Sequence, residues 1–201
     1  MIDMQRDFLE KDGFGESLGN DISKLRGAIK PCQEILQQCR RAGMLILHTR
    51  EGHRPDMSDL PRRKYLQGPE GKRIGDKGRL GRILIRGEKG HDIIPELYPL
   101  PKEPVIDKPG KGSFYATDLH TILAVRGIDT LLVCGVTTEV CVHTTVREAN
   151  DRGYHCIVVE DACASYCPNL HAAAVKMVTA QGGIFGSVTT VAEAVKAISN
   201  G

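Results

Sequence analysis

The chain has 201 residues, of which 41% are hydrophobic and 26% are charged, and its net charge at neutral pH is +2. This length and composition predict one soluble globular domain, and no apolar run approaches the roughly 20 residues that a membrane helix needs. The small net charge gives no support for a nucleic-acid partner, so we expect neither nucleic acid nor membrane as a partner.

Strands and helices alternate along the whole chain. Short apolar runs predict the strands, and apolar residues at helical spacing predict the helices. This alternation predicts a single domain over residues 1–201, with a doubly wound (Rossmann-like), mostly parallel sheet of about six strands and helices on both faces. In chain order, the predicted elements are a strand at 1–4, a helix at 20–41, a strand at 44–49, a short helix at 92–97, a strand at 104–107, a helix at 117–126, a strand at 131–134, a helix at 139–152, a strand at 155–160, a helix at 169–181, a strand at 183–187 and a helix at 191–198.

Two features of the first half qualify this pattern. Pro31 lies inside the first long helix and predicts a kink or a restart of the helix there. The segment from 50 to 90 is rich in Gly, Pro and charge, and a connection of this length in a compact domain is usually functional. Its excess of basic residues favours a solvated loop, and it is also a plausible place for subunits to meet.

Cysteine usage favours free thiols in a reducing compartment. The seven cysteines show no C-x-x-C spacing and no secretory leader accompanies them, so a disulfide framework or a zinc ribbon is not expected. We therefore expect a cytoplasmic protein in which most of the thiols are small buried hydrophobes. The seven are Cys32, Cys39, Cys134, Cys141, Cys156, Cys163 and Cys167.

The stretch around Cys141 is the main candidate for catalysis. An apolar strand at 131–134 ends at Gly135, and a helix begins near Glu139, which places Cys141 in the first helical turn. In an open α/β sheet, ligands bind at this edge, beyond the carboxyl ends of the strands. Unpaired amide N–H groups and the helix dipole predict a lowered thiol pKa, so we interpret Cys141 as a nucleophile.

A catalytic thiolate also needs a proton acceptor and a cation. Asp3 ends the first predicted strand and Lys108 follows the third, so both belong at the same sheet edge as Cys141. The alternative interpretation is a loop carboxylate and a solvated lysine, for which Lys111 is an example.

Three motifs resemble the isochorismatase-like cysteine hydrolase superfamily, and the resemblance spans essentially the whole chain. They are Ile-Asp-Met-Gln at 2–5, Asp-Lys with the following Ser-Phe at 107–114, and Gly-Val-Thr-Thr-Glu-Val-Cys at 135–141. The resemblance implies that Asp3, Lys108 and Cys141 form the Asp-Lys-Cys triad of that superfamily. It also implies a cis peptide bond between Val136 and Thr137, and an oxyanion hole formed by the N–H groups of Thr137 and Cys141.

The implied reaction is amide hydrolysis through a covalent intermediate, with Asp3 as the proton carrier. No cofactor is expected. Nicotinamidases of the superfamily bind a metal through an Asp-x-His pattern after the second strand, whereas this chain has His48-Thr49-Arg50 there, so we expect no metal. The triad cysteine also argues against the vinyl-ether chemistry of true isochorismatases, which lack it.

Longer runs resemble the biuret and triuret amidohydrolases of the superfamily. This resemblance implies a small ureide as the substrate, ammonia as a product and a homo-oligomer, expected to be a tetramer. Two alternatives stay open, namely a ureidoacrylate or carbamoyl-amine hydrolase and a catalytically silent binding protein on the same fold. The runs cover residues 48–56, 81–88, 91–99, 107–114 and 176–183, and the implied substrate-binding residues are Gln181, Phe8, Arg54, Phe114 and Tyr115.

Overall fold

A parallel sheet in two pieces lies at the centre of the computed structural model, which describes residues 1–200. In the smaller piece, β1 pairs with β4, and in the larger piece the order is β5-β6-β7, with every pairing parallel. The doubly wound parallel sheet predicted from the sequence is thereby confirmed. These strands are β1 (His48–Glu51), β4 (Val105–Lys108), β5 (Thr130–Val136), β6 (His155–Ala164) and β7 (Ser187–Thr189), and β2 (Lys77–Gly78) and β3 (Gly81–Arg82) form a separate antiparallel pair.

Residues 1–3 join the two pieces of the sheet. On one side, Ile2 N donates a hydrogen bond to Cys134 O at 2.8 Å. On the other side, Thr49 N donates to Met1 O at 3.0 Å. The predicted first strand is therefore present as a short segment between β1 and β5, and it brings Asp3 to the carboxyl edge of the sheet.

Away from that edge, the two pieces of the sheet separate. The prediction of a strand from 44 to 49 is wrong at its start, because β1 begins at His48 and residues 44–47 are irregular. Within residues 1–200, no strand lies between residues 44–47 and the first half of β5, so neither backbone has a strand partner on that side. The space holds a cavity of about 290 Å³ whose lining includes Ile35, Leu45 and Leu131.

The helices cover both faces of the sheet. Two helices, α4 (Ile29–Arg41) and α9 (Val191–Asn200), pack together against β6. Two others, α7 (His143–Asn150) and α8 (Pro168–Gly183), also pack against β6 through apolar side chains. None of the helices in the described part of the chain has the length and apolar character needed to cross a membrane. The long helices are α4 (Ile29–Arg41), α6 (Leu119–Val125), α7 (His143–Asn150), α8 (Pro168–Gly183) and α9 (Val191–Asn200), and the single turns are α1 (Arg6–Leu9), α2 (Phe14–Ser17), α3 (Ser23–Arg26), α5 (Arg62–Tyr65) and a 3₁₀ turn at Pro95–Leu97.

The first predicted helix is divided just before Pro31. The break falls between α3 and α4, and Pro31 lies in the first turn of α4. Proline is tolerated there because the N–H that it lacks would have no helical partner. The helix thus restarts at Ile29, two residues before Pro31, as the second form of the prediction expected, and α4 has no kink at Pro31.

The segment from 50 to 90 contains more structure than a solvated loop. Besides α5 and the β2–β3 pair, it buries a small apolar cluster of its own, formed by Ile74, Ile83, Leu84 and Ile85. This cluster anchors the segment beside the carboxyl edge of the sheet, where Lys64 of α5 reaches Pro109 O at 2.6 Å.

Candidate active site

The turn after β5 presents Cys141 at the carboxyl edge of the sheet. β5 ends at Val136, the Val136–Thr137 peptide bond is cis as the resemblance implied, and a π-helical turn at Thr138–Val142 leads directly into α7. Gly135 is needed just before this turn. Its φ is +120°, and a Cβ there would overlap the backbone of Ile2.

The structure brings the three predicted triad residues together. Asp3 Oδ2 lies 2.7 Å from Lys108 Nζ, and Thr49 Oγ1 donates to Asp3 Oδ1 at 2.6 Å. One carboxylate oxygen of Asp3 and the Cys141 Sγ lie within 4.8 Å of each other. All three side chains are buried: Asp3 and Lys108 are 0% exposed and Cys141 is 3% exposed. The chain thus assembles a nucleophile, a carboxylate and an ammonium group in one protected cluster.

Lys108 remains a cation in this cluster although it is buried. Burial disfavours its charged form, but the negative charges of Asp3 and Glu51 outweigh that effect and raise its pKa above the ordinary value. The ammonium group also donates to Gly110 O at 3.0 Å and to Lys111 O at 2.8 Å. Lys108 is therefore fixed in position and supplies a permanent positive charge beside Asp3.

The predicted lowering of the Cys141 pKa is wrong for the free protein. Burial and the negative charge of Asp3 raise the pKa of this thiol well above its ordinary value, and Lys108 opposes them only in part. The helix start was visible in the sequence, whereas the carboxylates that meet the thiol come from distant parts of the chain. Cys141 is therefore a thiol before substrate binds, and its activation requires a proton acceptor.

Glu51 lies against the triad cluster although it was not predicted to do so. It ends β1, is 1% exposed, and its Oε2 lies 3.5 Å from Cys141 Sγ. Its Oε1 lies 2.7 Å from Lys111 Nζ and 3.5 Å from Lys64 Nζ. Lys111 was expected to be a solvated lysine. It is half-exposed, but its ammonium group pairs with Glu51. The available signal was positional, since Glu51 ends a parallel strand just as Asp3 does.

Three ammonium groups keep Glu51 ionised. Burial would raise the pKa of its carboxyl group, but the positive charges of Lys111, Lys108 and Lys64 together lower it to about 2. Glu51 is therefore a carboxylate at every pH at which the fold is expected to work.

Gln181 does not reach this cluster within its own chain. α8 begins beside the nucleophile turn, where the Thr138 hydroxyl lies 2.8 Å from His171 Nδ1. Gln181 comes ten residues after His171, or roughly 15 Å further along the helix axis. It is exposed at the distorted end of α8, with a φ of +52°. Within its own chain Gln181 therefore lies away from the cluster, and its contact with the substrate stays a prediction.

The four other predicted pocket residues have different surroundings. Phe114 is buried and stacks on Tyr154, with ring centroids 5.6 Å apart, so it is part of the core. Arg54 is exposed to solvent. Phe8 is half-buried and packs against both apolar clusters. Tyr115 is exposed and lies against Gly110, whose carbonyl accepts from Lys108, so it is the best placed of the four.

The histidines near the site have structural partners. His48 Nε2 lies 2.9 Å from Glu103 Oε2, and burial lowers its pKa to about 4. His53 lies between Asp59 and Lys64, with its Nδ1 3.2 Å from Asp59 Oδ1. Neither joins Asp3, Glu51 and Cys141, which form the one group in the described part of the chain with metal-ligand geometry.

Metal independence stays a prediction, and the structure gives it a physical reason. The carboxylates of Asp3 and Glu51 already face the ammonium groups of Lys108 and Lys111, so a divalent cation would meet positive charge there. Exhaustive EDTA treatment is expected to leave the rate of ammonia release unchanged. Purified protein that holds stoichiometric zinc or iron, and that loses the metal and the activity together, would contradict this expectation.

Comparisons with known proteins give a consistent result. The isochorismatase domain matches residues 1–193. The ureidoacrylate amidohydrolase of Azorhizobium caulinodans is 29% identical over 198 residues, which cover 96% of this chain and 86% of that protein.

Two solved structures extend the match. A cysteine hydrolase from Pseudomonas syringae pv. phaseolicola superposes with a TM-score of 0.85 at 29% identity and covers 100% of this chain and 91% of that one. The N-carbamoylsarcosine amidase of Thermoplasma acidophilum has a TM-score of 0.71 at 25% identity, covering 94% of this chain and 93% of that one.

Proposed function

Because this chain belongs to the isochorismatase family of hydrolases, we propose that it is a cysteine amidohydrolase that releases ammonia from the carbamoyl end of a small ureido compound. The observation that supports this most directly is the buried cluster of Asp3, Lys108 and Cys141 at the carboxyl edge of the sheet. A nucleophile, a proton carrier and a fixed cation are the groups that acyl transfer requires.

The proposed mechanism has two stages. In the first, Asp3 accepts the proton of Cys141, the sulfur attacks the carbamoyl carbon, and Asp3 returns the proton to the departing ammonia. In the second, Asp3 accepts a proton from water as the hydroxyl group adds to the carbonyl carbon of the thioester-like intermediate. The C–S bond then breaks, the acid product leaves, and Asp3 returns the proton to the sulfur. We assign the stabilisation of the oxyanion to the backbone N–H groups of Thr137 and Cys141, which flank the nucleophile turn.

The charge of the site favours a substrate that carries a carboxylate. Lys64, Lys108 and Lys111 face only two carboxylates, those of Asp3 and Glu51, which leaves one positive charge in excess while Cys141 is a thiol. A negative group on the substrate would offset that excess in a poorly solvated place. Ureidoacrylate and N-carbamoylsarcosine, which appear in the names of two relatives, are carbamoyl amines of this kind. We therefore place a ureido acid first.

Biuret and triuret are the second candidate. The sequence runs quoted above favour them, and both are carbamoyl compounds that the same triad chemistry would cleave. They are uncharged, however, so they would leave the excess positive charge without a partner. Gln181, the residue that the resemblance implies for their second carbonyl group, is exposed at the far end of α8 in its own chain, so it adds no support for them.

A substrate panel tests the order of these candidates. Ammonia release is expected to be fastest, in kcat/KM, with ureidoacrylate or an N-carbamoyl amino acid, slower with biuret and triuret, and slowest with nicotinamide. One ion pair in a partly buried site is worth about 1–2 kcal/mol, so we expect a preference for the acids of about tenfold. The Cys141→Ala protein, purified in the same way, provides the background rate. A preference for biuret would reverse the order, and a preference for nicotinamide would exclude both candidates.

A further inference from the structure

We infer that Glu51 is a fourth catalytic residue, which holds the S–H group of Cys141 in the free enzyme and accepts an N–H of the scissile amide after the thiol has passed its proton to Asp3. The second half of this inference rests on the proposed amide hydrolysis. The first half concerns the thiol alone.

The contacts around the thiol favour Glu51 as its hydrogen-bond acceptor. Both oxygens of Asp3 face other donors, Thr49 at 2.6 Å and Lys108 at 2.7 Å. Oε1 of Glu51 faces Lys111, whereas Oε2 has Cys141 Sγ, at 3.5 Å, as its hydrogen-bond partner in the described part of the chain. This oxygen is therefore in position to accept a hydrogen bond from the S–H group.

Gln5 fixes the backbone of Glu51 in place. The backbone N–H of Glu51 donates to Gln5 Oε1 at 2.7 Å, and Gln5 Nε2 donates to Glu51 O and to His91 O, each at 2.9 Å. Gln5 is 0% exposed, and its buried amide group takes part in all three of these hydrogen bonds. With Lys111 and Lys64 holding its head group, Glu51 has little freedom to leave the thiol.

The chemistry assigns different tasks to the two carboxylates. The proton of Cys141 moves to Asp3, the S–C bond forms, and the electron pair of the C=O bond moves to oxygen. When that pair returns, the C–N bond breaks and nitrogen takes the proton from Asp3. Glu51 stays ionised throughout and accepts an N–H of the leaving nitrogen. A carboxylate held ionised by three lysines accepts hydrogen bonds but carries no proton, so it selects an –NH₂ group over a carboxylate or ester oxygen at this position.

The test measures thiol reactivity and hydrolysis in the same variant, Glu51→Gln. The negative charge of Glu51 is one of the groups that raise the pKa of Cys141, so its removal is expected to shift the pH curve of Cys141 alkylation by iodoacetamide to lower pH, by about one unit. In contrast, kcat for ammonia release is expected to fall about 100-fold, because the leaving nitrogen then faces a neutral amide, which is a weaker acceptor than a carboxylate and also presents N–H donors. A residue with a merely structural role would not move these two measurements in opposite directions.

Glu103→Gln is the matched control. Glu103 is also a largely buried carboxylate with a pKa lowered to about 2, but it pairs with Arg40 and His48 and is far in the fold from Cys141. This variant is expected to keep the wild-type alkylation curve and kcat. If Glu51→Gln is too unstable to purify, Glu51→Asp replaces it and is expected to shift both measurements in the same directions by smaller amounts.

Two outcomes would overturn the inference: an alkylation curve for Glu51→Gln that coincides with the wild-type curve, or a wild-type kcat in that variant. The alkylation arm needs no substrate. A shifted curve in a protein that hydrolyses no ureido compound would therefore support the thiol contact while rejecting the proposed function.

Discussion

Replacing Cys141 with alanine is expected to lower kcat/KM for ammonia release by about 10⁴-fold or more, because removal of the nucleophile disables the whole catalytic unit. The folded state should survive, since the change removes a single sulfur atom from a buried site. Ammonia release and thermal unfolding of the same preparation provide the two measurements.

Cys156→Ala is the matched control for this substitution. Cys156 is a buried cysteine of β6 whose sulfur faces Val146 O instead of the triad, at 3.9 Å. It is expected to lose some stability and to keep its kcat. Cys141→Ala protein with more than about 1% of the wild-type activity would show that another group is the nucleophile.

Lys108→Met is expected to cost about 3–5 kcal/mol of the free energy of unfolding, because it leaves the carboxylate of Asp3 buried without its ion-pair partner. Urea unfolding at neutral pH measures this loss. The double variant Asp3→Asn, Lys108→Met is expected to recover most of it, since no unpaired charge then remains in the site. Both variants should be inactive, which separates the stability of the pair from its role in catalysis.

The pH dependence of the same pair follows from the direction of the pKa shift. The pKa of Lys108 is higher in the folded protein than in the unfolded chain. The stability that this shift contributes is therefore complete at neutral pH and disappears only as the pH rises through the folded-state value, in strongly alkaline solution. A Lys108→Met protein as stable as the wild type at neutral pH would contradict the buried ion pair.

The triad could be predicted from the sequence because its motifs resemble those of the superfamily, and the positions of its members at strand ends agree with that assignment. Asp3, Lys108 and Cys141 each follow an apolar strand, and parallel topology brings the carboxyl ends of strands to one edge. Glu51 was missed because the sequence pattern did not place it at the end of a strand. The second strand was expected to end at 49, which left Glu51 in a loop, whereas pairing with β4 extends β1 to Glu51.

Features that depend on distant contacts could not be predicted in this way. The pKa of Cys141 reflects two carboxylates that lie about 140 and 90 residues earlier in the chain, and helix position alone does not show them. The position of Gln181 depends on the direction of α8, which starts at the catalytic edge and runs away from it. Resemblance in a short run identifies a residue type without giving the direction of the helix that carries it.

The place of residues 1–3 in the sheet has a consequence for the order of folding events. Ile2 pairs with Cys134 and Asp3 with Thr49, so the segment closes loops of about 130 and 46 residues at once. Contacts of such long range form slowly, because loop closure costs entropy before the contacts stabilise the chain. Until this segment is in place, Cys141 has a helix start but no proton acceptor. Enzymatic activity should therefore develop with the last folding phase, after most helical structure has formed, and a partly folded chain would carry only an ordinary thiol.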